Sequence, residues 1–230
     1  MPAYTHTAGE QQGATSASMN VPYPALSAGN LLLCIVTTKD FNGSTIATAP
    51  TGFTLLATSS PGTNDAIWLY GKIAAGTESG TIAVDTNTAG GQQAIIIAFP
   101  APPGYAWPAI ATAFVAATEN SIAGSSDLTY GARTISANGN LGIQIGKEPV
   151  TGTVTAVATT SGFTQASWLQ TDTYVGAVQY IQISGNIAQN AVAMTGNSGT
   201  AATGTLTAEF APAVGTIKDM IGAGIVPMGR

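Results

Sequence analysis

The chain has 230 residues and a net charge of −5; 45% of its residues are hydrophobic and only 7% are Asp, Glu, Lys or Arg, against about 25% charged in an ordinary globular protein. That length supplies core for one large or two small domains, while an alphabet whose polar surface is Gly, Thr, Ser and Asn excludes long charge-rich helices. Six cations scattered singly at Lys39, Lys72, Arg133, Lys147, Lys218 and Arg230 build neither a phosphate-tracking groove nor a polybasic patch, so no nucleic acid and no membrane is expected as partner.

In chain order, residues 1–14 read as an N-terminal leader with neither a basic start nor an apolar core, hence not a secretory signal. His6, the only imidazole, reads as solvated there. Strands follow at 16–23, 30–38, 52–59, 65–73, 81–85 and 92–99, between clusters of Gly, Pro and Asn. Alternation is clear in Ile67-Trp68-Leu69-Tyr70-Gly71-Lys72-Ile73. The apolar runs 31–36 and 94–99 are far shorter than the ~20 residues that span a bilayer and read as buried strands. Cys34, the single cysteine, lies in one of them and reads as a small buried hydrophobe, with no disulfide available. Prolines 100, 102, 103 and 108 break the pattern. A second set of strands is expected at 126–130, 140–147, 162–168, 173–183, 191–195 and 203–210.

The second set repeats the first. At an offset of 110, Gly29-Asn30-Leu31 falls on Gly139-Asn140-Leu141, Thr51-Gly52-Phe53-Thr54 on Ser161-Gly162-Phe163-Thr164, Tyr70 on Tyr180 and Ile73 on Ile183. Phe99 meets Phe210 one residue out of phase. This reads as internal duplication: an all-β chain of two tandem, homologous β-sandwich or jelly-roll-like repeats, 15–104 and 105–212, with a short C-terminal arm at 213–230. The arm has no counterpart in the first repeat. Its apolar residues Ile217, Met220, Ile221, Ile225, Val226 and Met228 are expected to dock on a neighbouring subunit.

The residues for catalysis are scarce. One His and one Cys supply neither a nucleophile–imidazole pair nor a zinc site, so no enzyme, cofactor or metal is expected. Lys39-Asp40 and Lys147-Glu148 read as solvated charges at strand ends, and 40–43 lacks the acidic run of a calcium loop. Exposed aromatic faces suit carbohydrate, and the candidates are Tyr105, Trp107, Trp168 and Tyr174. Trp68, Tyr70 and Tyr180, inside alternating strands, are expected in the core.

Three segments carry a resemblance: Gly29-Asn30-Leu31-Leu32-Leu33, Ala49-Pro50-Thr51-Gly52-Phe53-Thr54-Leu55-Leu56 and Trp68-Leu69-Tyr70-Gly71-Lys72-Ile73-Ala74. Over 16–212 the chain resembles a diffuse family of tailed-phage structural proteins with Gly-Asp-Leu-Leu, Pro-x-Gly-Trp-Thr-Leu-Leu and Tyr-x-Lys/Arg-Ile/Val-Ala strands. It departs from them at Asn30, in place of Asp, and at Phe53 and Phe163, in place of Trp. The resemblance implies a β-sandwich on a virion surface, assembled in the host cytoplasm, and carries no catalytic residues. The function expected is a capsid decoration (cement) protein that bridges the major capsid protein or other virion subunits. It is expected as a homo-oligomer, with a trimer suggested by capsid symmetry. The alternative is a head- or tail-fibre-type adhesin for host-surface glycan.

Overall fold

In the computed structural model, which describes residues 4–9, 12–14, 17–39, 46–59, 65–86, 92–125, 127–171, 174–196 and 201–214, the chain is nearly all β. The first half runs β1 (Thr7–Ala8), β2 (Gln12–Ala14), β3 (Ser18–Pro22), β4 (Leu31–Lys39), β5 (Ile46–Thr48), β6 (Thr54–Ser59), β7 (Asp65–Ile73), β8 (Thr81–Thr86) and β9 (Gln92–Phe99). A connection then carries β10 (Tyr105–Ala106) and the single helical turn α1 (Ile110–Ala113). The second half runs β11 (Phe114–Ser125), β12 (Leu128–Tyr130), β13 (Leu141–Pro149), β14 (Ala156–Val157), β15 (Thr164–Thr171) and β16 (Tyr174–Gln182). It closes with β17 (Asn190–Val192), β18 (Met194–Thr195), β19 (Ala201–Phe210) and β20 (Ala213–Val214).

Each half is built on one antiparallel sheet: β1 and β2 beside β9, then β4, β7 and β6 in the first, and β11-β19-β13-β16-β15 in the second. The small sheet β3-β8-β5 covers the outer face of the first; the pairs β12-β17 and β14-β18 cover that of the second. The inner faces of the two large sheets pack on each other. Leu31, Leu33, Ile35, Ile95, Ile97 and Phe99 from one meet Leu141, Ile143, Ile145, Val178, Leu206 and Phe210 from the other in a single buried cluster. Four layers result. A central strand such as β9 is buried at every residue, which is why 94–99 is a continuous apolar run and not an alternating one.

Contacts across the central interface are reciprocal: β6 lies against β11 and β19, and β15 lies against β2 and β9. Such an arrangement is that of an isologous dimer interface, here within one chain. The strand registers match too. Leu31 pairs with Phe99 and Leu141 with Phe210, and both edge strands bulge at the same step, between Leu55 and Ala57 and between Gln165 and Ser167. The β7/β16 match differs by one residue from the offset of 110. Tyr70 pairs with Cys34, but the residue at the Cys34 place in the second half, Gln144, pairs with Gln179. Tyr180 therefore stands where Gly71 stands, and its ring joins the central core while Tyr70 faces the outer one.

Residues 1–14, read as a leader, contribute β1 and β2 to the sheet edge, pairing Thr7 with Ala98 and Gln12 with Ala94. The backbone donors of β9 on that side find partners in this segment, so it belongs to the first half. β20, at the start of the stretch read as an arm, pairs with β10 of the connection; residues 215–230 lie outside the described residues.

Candidate functional site

The four aromatic candidates do not form one surface. Trp107 is 6% exposed; its indole N–H donates to Phe99 O at 2.8 Å, and its ring stacks on Tyr4 at 5.8 Å and 20°. The Tyr4 hydroxyl in turn donates to Gly139 O at 3.0 Å. This column joins the segment before β1, the connection and the second half, so Trp107 braces the interior and presents no face to a sugar. Tyr174 is fully buried, with its hydroxyl 3.4 Å from Thr37 O and Lys147 Nζ 5.2 Å from its ring centre. Tyr105 is half-buried in the β10-β20 ribbon. Trp168 is half-buried, packed on the outer core of the second half beside a shallow depression lined by Val154, Leu169 and Gln170. The docking candidates Ile217, Met220, Ile221, Ile225, Val226 and Met228 lie outside the described residues, as does Asp40.

Several polar residues occupy places that a one-dimensional reading puts in solvent. Lys147 and Glu148 are both fully buried within β13, not solvated at its end. The strand continues to Pro149, so the pair lies inside the four-layer stack. His6 is half-buried between the sheets, with Nδ1 3.0 Å from the Tyr180 hydroxyl. Cys34 is buried as expected, and desolvation pushes its thiol up to about 12, far from a reactive thiolate at neutral pH.

Two ion clusters, one buried at Glu209 and one part-buried at Glu78, stand at the end of the molecule that carries the Gly29 and Gly139 turns, the base. At Glu209, Ser136 donates from its N–H (3.0 Å) and Oγ (2.6 Å), Asn140 Nδ2 donates at 2.7 Å, and Arg133 pairs at 3.1 Å. Burial alone would raise this carboxyl, but the bonds from Ser136, Asn140 and Arg133 hold it below the usual range. In the first half, Lys72 pairs with Glu78 at 2.8 Å and lies over the rings of Phe53 (5.3 Å) and Tyr23 (5.9 Å). Burial again opposes ionisation of Glu78, yet Lys72 and the N–H groups of Ala75 and Gly76 bring it down to about 2.

The second half opens clefts at the base around the β16-β17 connection. One, of about 290 Å³, lies between the Thr160–Phe163 turn and Ile181–Ala188. Two neighbouring ones share Asn138 and Ser184, and one of them also takes in Ser136, Gly185 and Asn186. Among the described residues, no three of His, Cys, Asp and Glu group as a metal site needs. The cleft residues Thr160, Ser161, Phe163, Ser184 and Asn186 were not singled out from sequence. Their signal was there as a departure from the offset of 110, since Lys72 and Glu78 have no charged counterparts around 181–188. No family model matches the chain, and no curated protein or solved structure matches it.

Proposed function

We propose that this chain is a non-enzymatic structural protein of a virion, a capsid decoration (cement) module made of two duplicated sandwich repeats. The observation that carries the reading is the exit of both described ends at the base: Tyr4 rests on Gly139, and Val214 pairs with Tyr105. A module so arranged attaches through one end and presents the loops of the other. The shared strand order, bulge position and Leu31/Phe99 and Leu141/Phe210 registers support the duplication.

Function in this reading is added buried interface, about 1,200–2,000 Å² per contact. The apolar residues of 215–230 supply it against the major capsid protein or another virion subunit, on the virion surface, with the module as a trimer. Immunogold labelling of the particles that carry the chain tests this. Label over the whole head is the expected result; label confined to the tail, or none, overturns it. Deletion of 215–230 is expected to abolish attachment to particles while leaving the far-UV spectrum and melting temperature unchanged.

A further inference from the structure

The two halves treat one corresponding place in opposite ways. A Cβ on Gly52 would lie 3.9 Å from Lys72 Nζ; a Cβ on Gly162 would lie 3.5 Å from Ile181 Cδ1. Ile181 thus takes the position of Lys72. In the first half the space is filled by the Lys72 side chain, which lies over Phe53 and Tyr23 and ends on Glu78. In the second half that ion pair is absent and the connection is shorter. Between its framing hydrogen bonds it runs from Ala74 to Gly80 in the first half, but only from Ile183 to Ile187 in the second. A cleft of about 290 Å³ is left, near the lower size of small-molecule sites.

Its chemistry selects a ligand class. Its buried lining residues are Ile183, Ile187 and Thr160, with Phe163 and Ile181 part-buried beside them; Ser161, Ser184 and Asn186 are exposed around it, and no lining side chain is charged. An ion entering it would lose water without gaining a counter-charge. A neutral molecule with one C–H face and hydroxyls around its edge meets the Phe163 ring and the apolar isoleucines on one side, and hydroxyl and amide groups of Thr160, Ser161, Ser184 and Asn186 on the other. Thr160 is already fixed: its N–H donates to Gln179 Oε1 at 2.9 Å and its Oγ1 accepts from Gln179 Nε2 at 2.8 Å, so its own proton remains to donate. Asn186 Oδ1 accepts from the Ile135 N–H at 3.2 Å, which orients the amide and leaves its Nδ2 donors for a ligand. We propose that this cleft binds one neutral pyranose unit of a saccharide, an activity beyond the structural role above.

The test is NMR titration of the full chain with methyl glycosides of glucose, galactose and mannose, beside glucuronate and glucosamine. At least one neutral glycoside is expected to saturate with ~millimolar affinity, as suits so few atoms, and the charged sugars to bind at least ~10-fold more weakly. Ile181→Lys restores the first half's occupant and is expected to weaken binding at least ~10-fold by filling the site. Asn186→Ala, at an exposed side chain, removes a ligand donor along with its bond to the Ile135 N–H and is expected to weaken binding at least about fivefold, with an unchanged melting temperature checking that the fold is kept. Absence of saturation by any neutral glycoside, equal binding of the charged sugars, or wild-type affinity in Asn186→Ala overturns the proposal. Resonance shifts confined to Trp168 would also overturn it.

Discussion

His6 shows how a single side chain can tie a terminus to the far half of a molecule. Its ring lies 5.0 Å from that of Tyr180 and 6.3 Å from that of Phe99, one from each large sheet. Burial lowers its pKa from the ordinary value, against a smaller opposing pull from a hydrogen bond at the Ala166 backbone. The unfolded chain therefore binds the proton more tightly than the folded one. Stability is full above the ordinary histidine pKa of about 6.5 and falls as the pH drops through it. Glu78 and Glu209 are lowered carboxyls, so their contribution is present above about 4.5 and is lost below it. The melting temperature is thus expected to fall in an upper limb that begins near pH 6.5 and a lower one that begins near 4.5, and calorimetry on His6→Phe should show only the lower one. Since His6 is the only histidine, an upper limb that survives this substitution would assign the effect elsewhere. None of this was legible in the leader's composition, because half-burial of His6 depends on β1 pairing with a strand 91 residues away, Thr7 with Ala98.

At the scale of elements, the turns were the most legible features. Phe53 N–H bonds Pro50 O at 3.1 Å and Phe163 N–H bonds Thr160 O at 2.9 Å, with Gly52 at φ 78° and Gly162 at φ 83°. These are turns whose third residue must adopt a left-handed conformation, which is why a Gly-Phe-Thr triplet recurs. Gly162→Ala is expected to cost about 1–2 kcal/mol, read from the urea midpoint. The control Gly185→Ala, where the added Cβ meets nothing within 4 Å, should stay within about 0.5 kcal/mol. The strands 65–73 and 92–99 were readable to the residue because 67–73 alternates and 94–99 is a continuous buried apolar run. β11 was not read at all, although it is the longest strand among the described residues. As an edge strand it pairs on one side only and carries Thr118, Glu119 and Asn120 mid-strand, so neither period nor hydrophobicity marks it. The β7/β16 register also escaped the offset of 110. Identical Tyr residues aligned at 110, but the ladder hydrogen bonds put Gln179 opposite Gln144, where the two amides bond at 2.9 Å.

For the whole molecule, the decisive feature is the central core between the two large sheets. Gly176 lies so close under Gln93 and Thr37 that a Cβ there would collide with the Gln93 side chain, and Gln93 Nε2 donates to Leu169 O at 2.9 Å. Neither half is closed without the other. Expressed alone, residues 1–108 would expose Leu31, Leu33, Ile35, Ile97 and Phe99, an apolar face that seeks a partner. Co-expressed as separate chains, 1–108 and 109–230 are expected to co-purify one to one by size exclusion and mass analysis, while either alone self-associates or precipitates. Two stable monomeric halves would show that the central core is dispensable. What the sequence determined by itself is local: the all-β alphabet, the turn glycines and the apolar runs, each set by backbone sterics and nearest-neighbour pattern. What only the tertiary structure decided is which faces meet. It buried Lys147, Glu148 and Trp107, half-buried His6, left an uncharged cleft at Phe163, and packed the two large sheets on a shared core. These outcomes depend on contacts between residues far apart in the chain, and such contacts leave no period in the sequence.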